Sequence, residues 1–334
     1  MGEKSRMKNV VYIKNISDIN KGLEYFKIKE FSDKKVPIKI HMGEEKNKYF
    51  PRYQEVKYVV DALINIGALP YFFDTTVAYP GSRSTVKGYS NVAKLHGFTK
   101  NMGGCDAIID DSGTFIEVKE KEYEVAKHLI NSTHIIAYSH VKGHIATGMG
   151  GAIKNFGMGG VTKETKRKMH HGSRPIYKKD KCTYCGVCAE VCPFDSIKIE
   201  NNTWIQDMDK CFGCGVCVNL CKNKALEFKD ADFNYVLACA ALACVQSKNV
   251  IYINDVNRIA NSCDCDPFAG PVICPDIGYL VADDPVAIDK ASLDLIDLKK
   301  QDVFIKENKI NPLNQIDYGE QIGLGSKKYK LIEI

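Results

Sequence analysis

The chain has 334 residues, of which 45% are hydrophobic, enough for one large domain with a sizeable core and one small one. Its net charge of +5 is mild and comes largely from residues 163–181; with no recognised module and no aromatic-interleaved basic helix, it makes no case for nucleic-acid binding. No stretch approaches membrane-spanning length and Met1-Gly-Glu-Lys-Ser-Arg-Met7 leads into no apolar signal run, so the fourteen cysteines are expected as thiols or metal ligands in a reducing cytoplasm.

In chain order, residues 9–13 read as a first strand, and residues 17–30 carry Ile19, Leu23 and Phe26 at helical spacing behind Ser17 as an N-cap. Residues 36–40 form the next strand, ending on His41-Met-Gly-Glu44. A helix over 52–67 places Val56, Val59, Val60 and Leu63 on one face and stops at Gly67. A third strand, 69–73, ends on Asp74-Thr75-Thr76. Helix is expected over 84–96, strand over 107–110, helix over 122–130 and strand over 134–138. This alternation predicts an α/β fold, a mostly parallel sheet covered by helices, and such sheets bind ligands beyond the carboxyl ends of their strands. The polar residues that follow the strands are therefore expected to converge on one edge: His41 and Glu44, Asp74 to Thr76, Asp110 and Asp111, Ser139 and His140. For Asp110 and Asp111, turn or cap chemistry is the preferred reading.

Residues 139–160 are too rich in glycine for ordinary helix, and glycine lets backbone approach a ligand closely. His140, Lys142, His144 and Lys154 lie among those glycines, and Met169-His170-His171 follows. Imidazole is the commonest neutral metal ligand and a proton shuttle near pH 7, so the segment is read as a site.

Next comes Cys182-x2-Cys185-x2-Cys188-x3-Cys192-Pro193, and the same spacing returns as Cys211-x2-Cys214-x2-Cys217-x3-Cys221. Zinc ribbons also use paired C-x2-C, but close on four cysteines in two pairs. Eight thiolates in two runs of four can hold two [4Fe–4S] clusters, each run giving three sulfurs to one cubane and its fourth to the other. The expected sets are Cys182, Cys185, Cys188 and Cys221 for cluster one, and Cys211, Cys214, Cys217 and Cys192 for cluster two. Residues 174–230 resemble the bacterial two-cluster ferredoxin over their whole length, although Lys222 stands where that family usually has proline.

Beyond residue 229 the α/β pattern resumes, so the cluster module is expected as an insert: residues 8–173 and 231–334 form one α/β domain, and 174–230 the module. Helix is expected over 232–246 and strand over 249–254. Cys263-Asp264-Cys265 presents two sulfurs close together, either as ligands to a soft metal or third cluster, or as buried free thiols. Cys105, Cys239 and Cys244 lean toward core packing. Residues 280–298 read as a strand end, an aspartate cap at Asp283 or Asp284, Pro285 in the first turn, and a helix.

Two further resemblances bear on function. His140-x3-His144, Lys154 and His170 together resemble the lactate racemase family that uses a nickel pincer cofactor. That likeness implies a tethering role for Lys154, nickel ligation by His170 and proton transfer by His144, with a shared fold expected ahead of a shared cofactor. Across nearly the whole chain, His41-Met-Gly-Glu44, Asp74-Thr with Tyr79, Gly81 and Arg83, Lys154-Asn155, the inserted module, Cys-Asp-Cys and Asp-Pro-Val-Ala-Ile-Asp resemble the uncharacterised iron–sulfur-centre proteins built on domain of unknown function 362, which implies fold and clusters but no reaction. The expected function is an iron–sulfur redox protein, an oxidoreductase typical of anaerobic metabolism, passing electrons from two clusters to a metal or substrate site in the α/β domain. His144, Lys154 and Arg83 are the candidate catalytic residues, with Arg83 or Lys142 holding a small anionic substrate. Cys263, Cys265, His170 and His41 are the candidate ligands of an additional metal. A ferredoxin, flavodoxin or reductase is the expected redox partner. A non-catalytic electron carrier or docking partner, and a nickel-pincer-like hydride- or proton-transfer enzyme, are the alternative readings.

Overall fold

The structure is a computed structural model and describes residues 7–334. Eight strands build the central sheet: β1 (Lys8–Ile13), β2 (Lys35–Ile40), β3 (Leu69–Asp74), β4 (Ala107–Ile109), β5 (His134–His140), β6 (Asn249–Val256), β7 (Gly278–Ala282) and β8 (Tyr329–Glu333). Their spatial order is β8-β1-β7-β6-β5-β2-β3-β4. Every pairing is parallel except the two made by β7, so β7 alone runs against the rest. Alternate residues serve opposite faces. Phe73, Ile135, Ala137, Tyr252 and Leu280 enter one core; Phe72, Ile136, Tyr138, Ile253 and Val281 enter the other.

The second of these cores is covered by α1 (Ile19–Glu24), α2 (Tyr53–Asn65) and α3 (Val86–Leu95). In α2 the residues Val56, Val59, Val60 and Leu63 are buried at helical spacing, and Gly67 beyond its end is left-handed (φ 83°). On the opposite face lie α4 (Ala152–Gly157), α5 (Lys163–Gly172), α6 (Phe233–Val245), α7 (Pro285–Lys299) and α8 (Leu313–Ile322). Helix α7 starts as its sequence indicates: Asp284 caps the backbone N–H groups of Val286 and Ala287, and Pro285 stands in the first turn.

One expected helix is absent. Most of residues 122–130 belong to a strand, Lys121–Ala126, which pairs antiparallel with Gly113–Val118 across a Lys119-Glu120 turn in which both residues have positive φ; only Lys127–Ile130 is helical. The segment alternates with period two: Tyr123 and Val125 are buried while Glu122 is exposed.

Between α5 and α6 the chain leaves and re-enters at one point, where Asp230 N–H donates to Gly172 O at 2.7 Å. Strand Pro175–Tyr177 pairs with Leu226–Phe228, a hairpin joins Ile197–Glu200 to Thr203–Gln206, and one-turn helices follow Gly186 and Gly215. The small core here is Ile197, Cys217 and Leu226, backed by Tyr177, Cys188, Trp204, Val218 and Cys221.

Candidate functional site

Strands β2 and β5 are neighbours, yet in sequence the chain runs outward from β2 to β4 before returning to β5. Connections thus leave β2 and β5 in opposite directions. The carboxyl ends of two such strands diverge and leave a crevice. A cavity of about 530 Å³ opens there, lined by Lys39 and His41 from β2 and the loop after it, Asp74 at the end of β3 and Thr75 just beyond it, and Ser139 and His140 from β5. Asn155 in α4 bridges the divergence: its Nδ2 donates to Lys39 O (3.1 Å), Tyr138 O (3.1 Å) and Ser139 Oγ (3.0 Å), and its Oδ1 accepts from Lys39 Nζ (2.9 Å). Helix α4 is held at its N-terminus by Asp289, whose carboxylate accepts from Ala152 N (2.7 Å) and Ile153 N (2.9 Å). A Cβ at Gly151 would collide with that carboxylate, which accounts for glycine there.

Buried charge lines one wall. Lys39 Nζ donates to Asp74 Oδ1 at 2.8 Å, and Arg83 reaches His41 Nε2 (2.6 Å), Glu44 Oε1 (3.2 Å) and Asp74 Oδ2 (3.6 Å) while lying over the Tyr89 ring. Burial works against ionisation of Asp74, but Lys39 and Arg83 prevail and hold its carboxyl below the usual range. Burial, with Arg83 and the neighbouring lysines, lowers His41 well below an ordinary imidazole. Lys166, on α5, is also buried here and makes no ion pair among the described residues: it donates to Thr75 Oγ1 at 2.5 Å and to Thr76 O. Burial, reinforced by Lys39 and Arg83, outweighs the nearby Asp74 and Asp111 carboxylates and brings its amine down to about 7.

The opposite wall includes Cys265, Asp266 and Pro267, at the end of the Cys263-Asp264-Cys265 turn. Asp264 points inward and is fully buried; it faces His140 Nδ1 (2.8 Å) and Lys142 Nζ (3.0 Å), while its backbone O accepts from Glu44 N (3.0 Å). Burial alone would raise this carboxyl, yet His140 and Lys142 hold it well below the normal value. The two flanking cysteines lie with His144, the ligand atoms of all three within 4.8 Å of one another. Lys154 Nζ stands 3.6 Å from Cys263 Sγ. A hydrogen bond from Cys265, together with Lys154 and Lys142, keeps Cys263 well below an ordinary thiol, and Cys265 rises as its partner. Burial, then Lys154, lowers His144 well below its usual value, so its ring is neutral at pH 7.

The third wall comes from residues 174–230, through Phe194, Phe212 and Cys214. His170 of α5 joins them, stacked on Phe233 at 4.6 Å and tilted against Phe212 at 4.1 Å, with Nδ1 facing Gly213 O at 3.4 Å. Burial lowers this imidazole to about 4. The residues of the module fit iron–sulfur ligation. Cys182, Cys185, Cys188 and Cys221 line a single cavity, and two donors on that cavity, Tyr177 and Trp204, face the sulfurs of Cys182 and Cys188. Backbone N–H groups of Tyr184, Ser196 and Ala225 donate to the sulfurs of Cys182, Cys192 and Cys221 at 3.3 to 3.4 Å. Burial, with Cys192 and Cys211 close by, pushes the Cys214 thiol up to about 11, which places Cys192 beside the second cysteine run. Cys185 is exposed, whereas Cys211, Cys214 and Cys217 are buried, Cys214 against the core of the larger domain and Cys217 in the module's own.

His144, Lys154, Arg83, His41, His170 and Cys265 thus share one cavity, but among the described residues only His144, Cys263 and Cys265 bring ligand atoms together; Arg83 engages His41, and His170 stands on the module side. Asp110 and Asp111 lie outside: Asp110 accepts from Ser112 N, and Asp111 from Thr76 Oγ1 and from Lys163 N at the start of α5. No role is assigned from the sequence to Lys39, Lys166, Asp264 or Asp289, although Asp264 and Asp289 stand within the Cys-Asp-Cys and Asp-Pro-Val-Ala-Ile-Asp motifs and Lys39 is a charge within a mostly apolar strand.

The family described as Domain of unknown function (DUF362) matches residues 36–294. No curated protein matches the chain. Among solved structures, a Thermotoga maritima protein from the Northeast Structural Genomics Consortium is 11% identical, with 93% of this chain and 61% of that one aligned at a TM-score of 0.46. The lactate racemase apoprotein from Thermoanaerobacterium thermosaccharolyticum is 13% identical, with 76% of this chain and 52% of that one aligned at a TM-score of 0.40. The chain therefore spans less than two thirds of the length of either protein. Among the described residues no helix is long and apolar enough to cross a membrane.

Proposed function

Since the chain belongs to the DUF362 family, whose description carries no reaction, we propose from the cavity itself that it is an iron–sulfur oxidoreductase acting on a small anionic substrate at the switch point of its sheet. One observation carries the reading: the cavity that holds His144, Lys154, Arg83 and Lys166 is walled on one side by Cys214 and its neighbours in the eight-cysteine module. Two [4Fe–4S] clusters, held by Cys182, Cys185, Cys188 and Cys221 and by Cys211, Cys214, Cys217 and Cys192, would supply one-electron transfers. The exposed Cys185 side suits exchange with a redox partner such as a ferredoxin or flavodoxin, and the buried Cys214 side suits delivery into the cavity.

The chain's own residues supply the remaining needs of such a reaction. Lys39 and Lys142 are paired with Asp74 and Asp264, whereas Lys154, beside Cys263, and Lys166, close enough to Asp74 and Asp111 to feel their charge, form no ion pair among the described residues. These two amines are the ones available to an incoming carboxylate or phosphate. Lys166, near 7, can exchange a proton there.

Anaerobic purification followed by iron and sulfide analysis tests the reading, with about eight of each expected per chain. Absence of iron, or zinc in the eight-cysteine module, would refute it. Full iron with no small-anion binding to Lys154 and Lys166 would leave the non-catalytic carrier, and an added covalent mass on Lys154 would point to a tethered cofactor.

A further inference from the structure

We propose that His144, Cys263 and Cys265 bind one divalent cation of the zinc, cobalt or ferrous class, with a fourth coordination position open to the switch-point cavity. This rests on the redox reading for the role of the ion, and on the three ligands alone for its presence.

Ligand spacing is the first argument. Metal–sulfur bonds of about 2.3 Å and metal–nitrogen bonds of about 2.0 Å put ligand atoms of a tetrahedral ion roughly 3.5–3.8 Å apart. All three atoms here lie within 4.8 Å of one another, so a small closure brings them onto a single ion. A cubane spreads its thiolates wider than one ion does, which favours a mononuclear centre over a third cluster. Two thiolates and an imidazole are a donor set for borderline divalent metals, and three protein ligands plus an open position is the arrangement of catalytic rather than structural zinc.

Everything around the three ligands fixes their aim. The C-D-C turn alternates: Asp264 goes inward to His140 and Lys142, which leaves Cys263 and Cys265 together on the other side. Cys265 N–H donates to Cys263 Sγ at 3.4 Å, and Asp266 N–H closes the turn on Cys263 O at 2.8 Å. Thr147 Oγ1 donates to Met149 O at 2.8 Å, so it accepts from a protonated Nδ1 of His144 at 3.0 Å; that tautomer leaves the Nε2 lone pair for a metal, in keeping with how ligating imidazoles donate their other N–H. Lys154 beside Cys263 balances the second thiolate charge. The three residues also line a second cavity with Glu190, Asp266 and Glu307, so a cation reaches them through a vestibule with three carboxylates while the main cavity keeps its lysines.

The test is a cobalt(II) titration of the chelator-treated holoprotein under anaerobic conditions, with cluster absorbance and iron content followed in the same samples. One equivalent is expected, with thiolate-to-cobalt charge-transfer absorption and an X-ray absorption spectrum showing two sulfur ligands and at least one nitrogen. Affinity should fall at least tenfold in Cys263→Ser and in His144→Ala. No charge-transfer absorption, four sulfur ligands, or unchanged affinity in both variants would overturn the proposal; the wild-type spectra decide alone where a variant does not fold. A cobalt site in a protein lacking cluster iron would sink the redox reading and leave this one standing. Intact clusters with no cobalt site would do the reverse.

Discussion

Lys166 is the residue whose environment departs furthest from what its place in the sequence suggests. It sits in the run of lysines and arginines over 163–181, where a solvated side chain is the ordinary expectation, yet it is 4% exposed and its amine lies near 7. Its labelling by an amine-selective reagent should therefore turn on with a midpoint near pH 7, well below the ordinary lysine value of about 10.4. A midpoint at that ordinary value, read by peptide mass spectrometry, would contradict the buried placement. The unfolded chain holds a proton on this amine between about 7 and 10 that the native state does not, so this group makes stability rise with pH across that interval. Asp264 has the opposite character. Its carboxyl is depressed, so the stability it contributes is present above the ordinary carboxylate range near 4 and is lost as the pH falls below it. Asp264→Asn leaves His140 and Lys142 facing a neutral group, at a cost of about 3–5 kcal/mol. A loss under about 0.5 kcal/mol in denaturant unfolding, the scale of an unremarkable surface change, would show that the turn is not held this way.

At the scale of elements, helix α4 decides whether Lys154 and Asn155 reach the cavity, and Asp289 decides where α4 begins. Asp289 is pushed up to about 6 by burial, although Asn254 and two backbone N–H groups favour its anion. Because this folded value exceeds the unfolded one near 3.9, its contribution is complete below pH 4 and is lost as the pH rises through 6. In Asp289→Asn that portion of the stability–pH profile should vanish, while the helix loses about 1 kcal/mol because an amide nitrogen now opposes one N–H of the pair it capped. A profile unchanged between pH 4 and 6 would assign the titration elsewhere. The elements themselves were legible where one local rule governed them: Val56, Val59, Val60 and Leu63 announce α2, and Asp284-Pro285 announces α7. Residues 122–130 were misread because alternation in Glu122-Tyr-Glu-Val125 competes with the turn of helix at 127–130, and because their partner strand, Gly113–Val118, shows little pattern of its own. Strand β8 was not foreseen, since a half-exposed edge strand paired parallel to β1 depends on a neighbour more than 300 residues away. In the site, cysteine spacing is a one-dimensional signal and was readable; the placing of Asp264 and Asp289 is set by contacts across 124 and 137 positions and was not.

For the molecule as a whole, the two bodies of the chain owe their stability to different physics. The sheet buries apolar side chains on both faces, whereas residues 174–230 bury only Ile197, Cys217 and Leu226 in a core of their own. A unit of that size is too small to stand on so little apolar burial, and units of this kind are held by metal or disulfide. On the cluster ligation proposed above, its eight cysteines would supply that order through metal. The seam with the larger domain is tight but narrow: Arg174 Nη2 donates to Cys211 O at 2.8 Å, and left-handed Gly213 packs so closely on His170 O that a Cβ would overlap it. Stripping iron with a chelator under native conditions should therefore leave the amides of Ile135 to Tyr138 and Val250 to Ile253 protected from hydrogen exchange, while those of residues 175–228 lose protection together. Gly213→Ala should open the seam without unfolding either body, and is expected to show as faster exchange at His170 and Phe212 and as earlier proteolytic cleavage within 174–230. If instead protection in the sheet collapses along with that of the module, the sheet's core does not stand alone and the metal stabilises the chain as one cooperative unit.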